Sequence, residues 1–188
     1  PVMRALLAAT ALPLAAPSAN ASGAVSPTQA AHVAASLAPE PALILDGGPC
    51  AAGIESTIVA PRAAPDWQIL RAGPIGAAPI AALLGSAPRP VASAQVEAPG
   101  QLLRHYSPGK PLRLDARSAA PDEFLIGFGP VASAISLSPA GDLAEAASRL
   151  YAALHGAAAS PLPRIAVSPI PAEGIGAAIN DRLRRAAT

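Results

Sequence analysis

The chain has 188 residues, and its 15 glycines and 23 prolines are a smaller share than low-complexity disorder shows, so we expect it to fold. Its 13 basic and 12 acidic residues give a formal net charge of +1, which does not indicate bulk electrostatic attraction to nucleic acid. The single cysteine, Cys50, excludes an internal disulfide framework and a multi-cysteine metal site.

The first 85 residues predict the short helices and strands of an α/β unit. A helix is expected over 4–9, and an apolar run at 12–15 indicates a strand that enters a serine-rich turn. Ser26 is predicted to be the N-cap of a second helix, with Pro27 at its first helical position and an end near residue 37. Further strands are predicted at 42–45, 56–59 and 67–70, followed by an alanine-rich helix over 75–84 that ends at Gly85.

A change in composition after residue 85 indicates a linker and a second unit. Residues 86–111 contain few large apolar side chains and several prolines, which is typical of an interdomain linker. Beyond the linker, strands alternate with helices, and this order predicts a small layered α/β domain over 112–188. Strands are expected at 112–114, 124–128, 134–137 and 164–167, and helices over 142–155 and 176–185.

Several common catalytic motifs are absent from the sequence. His32, His105 and His155 are far apart, no H-E-x-x-H motif occurs, and one cysteine with scattered carboxylates cannot build a zinc site of common spacing. Neither a G-x-S-x-G elbow nor a G-x-x-x-x-G-K-[ST] loop is present. Metal hydrolases, serine hydrolases and P-loop NTPases are therefore disfavoured, and no metal ligand is assigned.

Small hydroxyl and amide side chains are concentrated in two predicted turns. Such turns can present hydroxyls and backbone N–H groups to an anion, and a helix that begins at Ser26 would add its partial positive charge. The alternative for Ser26 is a purely structural N-cap. The side chains are Ser18, Asn20, Ser22, Ser26 and Thr28 in the first turn, and Ser56 and Thr57 in the second.

The start of the chain also has the form of a secretory leader. Met3 and Arg4 precede an apolar run over 5–16, and Ala-Asn-Ala at 19–21 matches a cleavage site. Pro13 interrupts the apolar run, which argues against this alternative. No stretch approaches the roughly 18 to 20 apolar residues of a membrane span.

Five segments in fixed order carry a resemblance to a known family. They are APSANASG at 16–23 with SPT at 26–28, ILDGG at 44–48, GIESTIV at 53–59, ILR at 69–71, and APG to HYSP over 98–108. The series resembles the threonylcarbamoyl-AMP synthase family, which has the YrdC-like fold, and the last segment resembles the linker of its longer, two-domain form. Because the apparent cleavage site lies inside one of these segments, the resemblance disfavours the secretory alternative.

The resemblance implies a nucleotidyltransferase reaction. L-threonine, bicarbonate and ATP would give threonylcarbamoyl-AMP and pyrophosphate, the first step of the t6A modification at position 37 of tRNA, in the cytoplasm. Mg²⁺ would accompany ATP, and a tRNA-modifying threonylcarbamoyl transferase would use the product. By matching motifs, ATP would contact Ser18, Ser26, Arg71 and Tyr106, and threonine would contact the Ala16 backbone and Ser56, with Asn20 and Thr57 in support.

Two alternatives remain open on the sequence alone. Tyr106 would act on ATP as part of a lid formed by the linker, or it would be a packing residue at the domain junction. The whole chain would be part of the synthase, or a non-catalytic fragment of the same fold that binds nucleotide or double-stranded RNA.

The resemblance implies a specific division of the chain. Residues 1–85 would be the C-terminal half of a YrdC-like mixed-sheet domain, 86–111 the linker, and 112–188 a small Rossmann-like three-layer α/β domain. The family's lysine and arginine anchors for the nucleotide would precede residue 1. We therefore expect the 188 residues alone to be inactive as a synthase.

Overall fold

The computed structural model describes residues 2–39, 41, 43–90, 97–100 and 105–188. It confirms the α/β class and contains two separate sheets. The elements of the N-terminal part are α1 (Val2–Thr10), α2 (Ala30–Leu37), β1 (Ile58–Pro61), β2 (Trp67–Arg71) and α3 (Ala77–Leu84). Those that follow are β3 (Leu112–Arg113), β4 (Glu123–Gly127), β5 (Ile135–Ser136), α4 (Leu143–Ala159), β6 (Arg164–Val167) and α5 (Ile175–Ala186).

The N-terminal part is built around an antiparallel hairpin of β1 and β2. Ile58 is opposite Arg71 and Pro61 is opposite Trp67, with a bulge between Ile58 and Val59. Trp67 is buried, and its indole N–H donates to the Ser86 carbonyl at 3.0 Å. Trp67 therefore anchors the hairpin at the end where β1 stops and β2 begins, and its buried indole N–H has a hydrogen-bond partner.

Two predicted strands of the N-terminal part do not form. Residues 12–15 are not in a strand and are exposed, and no partner strand pairs with them among the described residues. Residue 42 lies outside the described residues, and 43–45 are not in a strand. An apolar run forms a strand only where another strand supplies hydrogen bonds. The sequence pattern does not show whether such a partner strand is present.

The prediction that Ser26 caps α2 is wrong. The helix begins at Ala30, its N-cap is Gln29, and no side chain caps it. The Ser26 hydroxyl instead donates to Glu55 Oε1 at 2.7 Å, across 29 residues of sequence. A long-range partner has replaced the local one, so the partial positive charge expected at Ser26 from a helix N-terminus is not present there.

The second sheet is parallel and has the strand order β3-β6-β4-β5. Its side chains alternate between two faces, as the pleat requires. One face carries Ile126, Ile165 and Val167, which share a buried cluster with α4 and α5. The other face carries Leu125 and Ala166, which pack with loop residues. Both described helices of this domain therefore cover the same face of the sheet.

A local signal places the start of α4 correctly. Asp142 is the N-cap of α4, where its carboxylate accepts the Glu145 N–H at 2.8 Å. The end of α4 is fixed from outside by Lys110, whose ammonium donates to the Ala157 carbonyl at 3.1 Å and to the Ser160 carbonyl at 2.5 Å. A cation at this position also compensates the negative end of the helix dipole.

The N-terminal part, the linker and the C-terminal domain share one apolar core. Val25, Ile54 and Tyr106 belong to the same buried cluster as the inward faces of α4 and α5. The described residues of the predicted linker are bonded on both sides: the Ser107 N–H donates to Gly23, and the His105 N–H donates to Arg185. Residues 91–96 and 101–104 of the linker lie outside the described residues.

The large apolar side chains that are exposed among the described residues lie in the N-terminal part. They sit on α1, on α3 and in the loops between the elements, not in the parallel sheet domain. None of the helices in the described ranges is long and apolar enough to cross a membrane. The exposed side chains are Met3, Leu7, Leu12, Leu14, Leu43, Leu45, Ile75, Leu83 and Leu84.

Candidate active site at the domain junction

The Glu55 carboxylate is the centre of a polar cluster where the parts of the chain meet. Its Oε1 accepts the Ser26 hydroxyl at 2.7 Å, and both of its oxygens accept the Tyr151 hydroxyl, at 3.0 and 2.9 Å. Arg182 Nε donates to Oε2 at 3.2 Å. Burial raises the pKa of Glu55, but hydrogen bonds from Ser26 and Tyr151 and the Arg182 charge outweigh it, so its pKa is lowered. Glu55 is therefore a carboxylate at neutral pH.

Arg182 brings the C-terminal helix into this cluster. Its side chain is fully buried, and Nη1 donates to the Ala72 carbonyl at 2.6 Å. Burial lowers the pKa of Arg182, but the electrostatic effects of Tyr151 and Glu55 exceed that penalty and raise it. The guanidinium therefore keeps its charge while it binds two segments that flank the β1–β2 hairpin.

Tyr106 is buried beside the same cluster. Its ring stacks on Tyr151 with 5.5 Å between centroids, and the Arg182 guanidinium lies 5.8 Å from the centre of the Tyr106 ring. A Cβ at Gly100 would lie 2.5 Å from the Tyr106 hydroxyl, so the absence of a side chain at Gly100 allows the linker backbone to approach Tyr106 closely. In this structure Tyr106 is a packing residue at the domain junction, which was one of the two alternatives for it. Its contact with ATP stays a prediction.

Ser56, Thr57 and Arg71 lie together at the base of the hairpin. Arg71 Nε and Nη2 donate to the Ser56 carbonyl at 3.1 and 3.0 Å, and Nη1 donates to the Pro99 carbonyl at 3.3 Å. Among the described residues, no carboxylate forms an ion pair with Arg71. The Thr57 hydroxyl donates to the Ile75 carbonyl at 2.7 Å. Ser56, matched to threonine, and Arg71, matched to ATP, are thus adjacent, and no carboxylate of the described residues neutralises the guanidinium.

The serine-rich turn forms a second group of predicted residues. Asn20 orders it by donating to the carbonyls of Ala21 at 2.9 Å and Ala24 at 3.1 Å. Ala16 and Ser18 are exposed on this turn. Gly23 accepts from the Ser107 N–H at 2.8 Å, so the turn is joined to the linker one residue after Tyr106. The Ser26 hydroxyl is bonded to Glu55 and not to this turn.

Two histidines lie at the contact between α2 and α4. The rings of His32 and His155 stack with 3.8 Å between centroids, and His155 Nε2 is 3.2 Å from the Ser26 carbonyl. Burial lowers the pKa of both imidazoles, and the proximity of His155 lowers that of His32 further. Both rings are therefore neutral at neutral pH, which allows them to stack.

The described residues contain no group of three or more His, Cys, Asp or Glu side chains that could hold a metal ion. Glu55 does not provide such a site, because its oxygens are bonded to Ser26, Tyr151 and Arg182. The residues described here therefore do not fit a protein-bound Mg²⁺. Mg²⁺ would enter as part of the Mg·ATP substrate, held mainly by phosphate oxygens.

Two family profiles match the chain. Residues 75–188 match the profile described as threonylcarbamoyl-AMP synthase, C-terminal domain, and this match covers more than half of the chain. The chain belongs to the threonylcarbamoyl-AMP synthase family. Residues 1–73 match a second profile, described as telomere recombination.

Individual relatives match nearly the whole chain. The threonylcarbamoyl-AMP synthase of Bacillus subtilis strain 168 is 35% identical over 215 residues, which covers 100% of this chain and 60% of the relative. The crystal structure of P. abyssi Sua5 complexed with L-threonine is similar with a TM-score of 0.81 at 27% identity, over 97% of this chain and 60% of that one. The chain thus spans 60% of the length of these two relatives.

A third match concerns a variant of the P. abyssi protein. In that variant a histidine and the tyrosine that follows it are both alanine, and its structure is similar to this chain with a TM-score of 0.79 at 26% identity. The match covers 97% of this chain and 59% of that chain.

The sequence reasoning missed Glu55, Tyr151 and Arg182 as site residues. A signal for Arg182 was available. The buried positions of α5 include Ala178, Ile179, Leu183 and Ala186, and helical spacing puts residue 182 on the same face. A charged residue on the apolar stripe of a helix requires a buried partner. The sequence does not show which residue is that partner, because Glu55 lies 127 positions away from Arg182.

Proposed function

We propose that this chain provides part of the catalytic site of an L-threonylcarbamoyladenylate synthase, together with its C-terminal domain. The reaction converts L-threonine, bicarbonate and ATP into threonylcarbamoyl-AMP, pyrophosphate and water. One observation carries the proposal. Arg71 is held by the Ser56 and Pro99 carbonyls and forms no ion pair in the described part of the chain, so its charge is available to a phosphate.

The reaction requires two bond-forming steps. Threonine first loses its ammonium proton to solvent, and its free amine and bicarbonate then form a carbamate with loss of water. A carbamate oxygen then attacks the α-phosphorus of ATP, and the bond from that phosphorus to the oxygen bridging to the β-phosphorus breaks as pyrophosphate leaves. The carbamate is already an anion, so we assign no acid–base residue. Positioning and electrostatic stabilisation of the charged groups supply the catalysis.

Each matched residue has a role in this proposal. Ser56 and the Ala16 backbone would hold threonine, while Arg71 would stabilise charge on the phosphates. Ser18 and Tyr106 would contact ATP, with Asn20 and Thr57 ordering the turn and the hairpin base through their hydrogen bonds. Ser26 would need to exchange its bond to Glu55 for one to ATP, so it is the least direct of the proposed contacts.

The names of the relatives support the proposed function. The Bacillus subtilis relative is named a threonylcarbamoyl-AMP synthase, and the P. abyssi structure contains L-threonine. The P. abyssi variant lacks a consecutive histidine and tyrosine, and His105-Tyr106 is the one such pair in this sequence. We therefore include Tyr106 among the proposed ATP contacts even though it is buried here.

The proposal also covers the context of the reaction. Its product would pass to a threonylcarbamoyl transferase that modifies tRNA at position 37. A cytoplasmic location follows if this protein supplies that pathway with its activated intermediate. The division at residues 85 and 111 into a partial YrdC-like domain, a linker and a small domain is part of the same proposal.

The test is a product assay with the protein expressed from its whole reading frame. We expect pyrophosphate release that requires both L-threonine and bicarbonate, with threonylcarbamoyl-AMP detected by chromatography and mass spectrometry. Reactions without bicarbonate, or with L-valine in place of L-threonine, are the controls. Binding of ATP or of double-stranded RNA without any threonylcarbamoyl-AMP would instead support the non-catalytic alternative.

A further inference from the structure

Arg182 contacts both segments that flank the β1–β2 hairpin, one through the Glu55 carboxylate and the other through the Ala72 carbonyl. It donates to Glu55, three residues before β1 begins, and to the Ala72 carbonyl, directly after β2 ends. These two segments also touch each other, since a Cβ added to Gly73 would overlap the Thr57 nitrogen. One side chain from α5 therefore fixes the chain on both sides of the hairpin.

The neighbours of these two contact residues are the proposed substrate ligands. Ser56 follows Glu55, and Arg71 precedes Ala72. Adjacent Cα atoms are about 3.8 Å apart, so a displacement of Glu55 or Ala72 moves Ser56 or Arg71 with it. Arg71 and Ser56 also bind each other directly. The two residues that bind Arg182 are thus adjacent in sequence to two of the proposed ligands.

We propose that Arg182 is a positioning residue for the reaction, through which the C-terminal domain holds Ser56 and Arg71 in their working geometry. This inference rests on the proposed function. A buried ion pair adds little net stability compared with apolar side chains of similar volume. The cluster is therefore explained better by the geometry that it imposes, because the Arg182 guanidinium holds Glu55 and Ala72 in two fixed directions.

The experiment measures activity and local order in the same variants. Arg182→Gln removes the charge, and Arg182→Lys keeps it on a single nitrogen that cannot reproduce the two fixed donor directions of Nε and Nη1. We expect kcat/KM to fall about 10- to 100-fold in Arg182→Gln, since small misplacements of reacting groups cost rates of that order. Arg182→Lys should lie between this variant and the wild type. Hydrogen–deuterium exchange should rise at residues 55–59 and 71–73.

Arg113→Gln is the matched control. Arg113 pairs with the buried Glu123 carboxylate at 2.6 Å in the same domain, but it does not contact the Glu55 cluster. It should destabilise the domain and leave kcat/KM within about threefold of wild type at a temperature where both variants are folded. If Arg182→Gln behaves like Arg113→Gln in activity, or leaves exchange at 55–59 and 71–73 unchanged, Arg182 has no positioning role.

The outcomes separate this inference from the proposed function. If the wild-type protein makes no threonylcarbamoyl-AMP, the proposed function fails, while the exchange measurement still tests whether Arg182 orders the two segments. If Arg182→Gln does not fold, Arg182→Lys takes its place, because it keeps the charge but not the geometry of the two contacts. Arg182→Lys should then raise exchange at residues 55–59 and 71–73, and unchanged exchange together with unchanged kcat/KM would overturn the inference.

Discussion

Gly53 offers a sharp test of how closely the N-terminal part packs on α4. Its φ is +71°, and a Cβ at this position would overlap the Ala147 carbonyl oxygen and the Ser148 Cα. Both are backbone atoms of a helix, so they cannot turn aside as a flexible side chain would. Gly48 is the matched comparison, because its φ is +82° and a Cβ there would meet nothing within 4 Å.

The difference between the two glycines sets the expected magnitudes. A left-handed backbone costs a residue with a Cβ roughly 1–2 kcal/mol, and the reduced freedom of the unfolded chain offsets about 0.4–1 kcal/mol. Gly48→Ala should therefore destabilise by about 0–1.6 kcal/mol. Overpacking against backbone adds about 1–3 kcal/mol. Gly53→Ala should then lower the free energy of unfolding by about 1–3 kcal/mol more than Gly48→Ala does.

The assay is urea denaturation followed by the fluorescence of Trp67, the one tryptophan of the chain. It is buried in β2 and so reports on the N-terminal part. The m-values of the two variants should agree, so that the midpoints compare stability directly. If Gly53→Ala and Gly48→Ala lose equal stability within about 0.5 kcal/mol, close packing of residue 53 on α4 does not stabilise the fold.

Three further predictions concern other parts of the structure. Arg71→Ala should lower kcat/KM for ATP about 10- to 100-fold, because a charge-assisted contact contributes about 1.5–3 kcal/mol; unchanged kinetics would remove Arg71 from the site. Because burial lowers the pKa of His32 and His155, the unfolded chain binds more protons, and urea midpoints should fall as pH drops below about 6.5. A flat profile from pH 8 to 5 would contradict this. Asp142→Ala removes the bond to the Glu145 N–H and should cost about 1 kcal/mol in a thermal or urea titration, whereas Asp142→Asn should retain most of it.

The parallel sheet domain could be predicted well because its signals are local. The run Arg164–Val167 is a short apolar segment flanked by prolines on both sides, and β6 has these bounds. Asp142 is a strong N-cap, and α4 begins one residue after it. In each case the residues that specify the element lie inside it or next to it.

The candidate site could be predicted only in part, because its contacts join distant residues. Ser26 has all the local features of an N-cap, yet its hydroxyl is bonded to Glu55. Residue preferences for helix caps cannot predict a hydrogen bond to a residue 29 positions away. The tyrosine at 106 was open to two interpretations because its surroundings come from α4 and α5. Motif order identified Ser56 and Arg71 as candidate ligands, whereas Arg182, which binds the residues next to them, is more than 100 positions away.

The packing of the β1–β2 hairpin explains how the second domain can order the proposed substrate ligands. Within the described part of the chain, Trp67 packs one end of the hairpin and the Glu55–Arg182 cluster holds the other. The end held by Arg182 is the one that carries Ser56 and Arg71. Loss of the Arg182 contacts should therefore loosen the site before it unfolds the hairpin at Trp67.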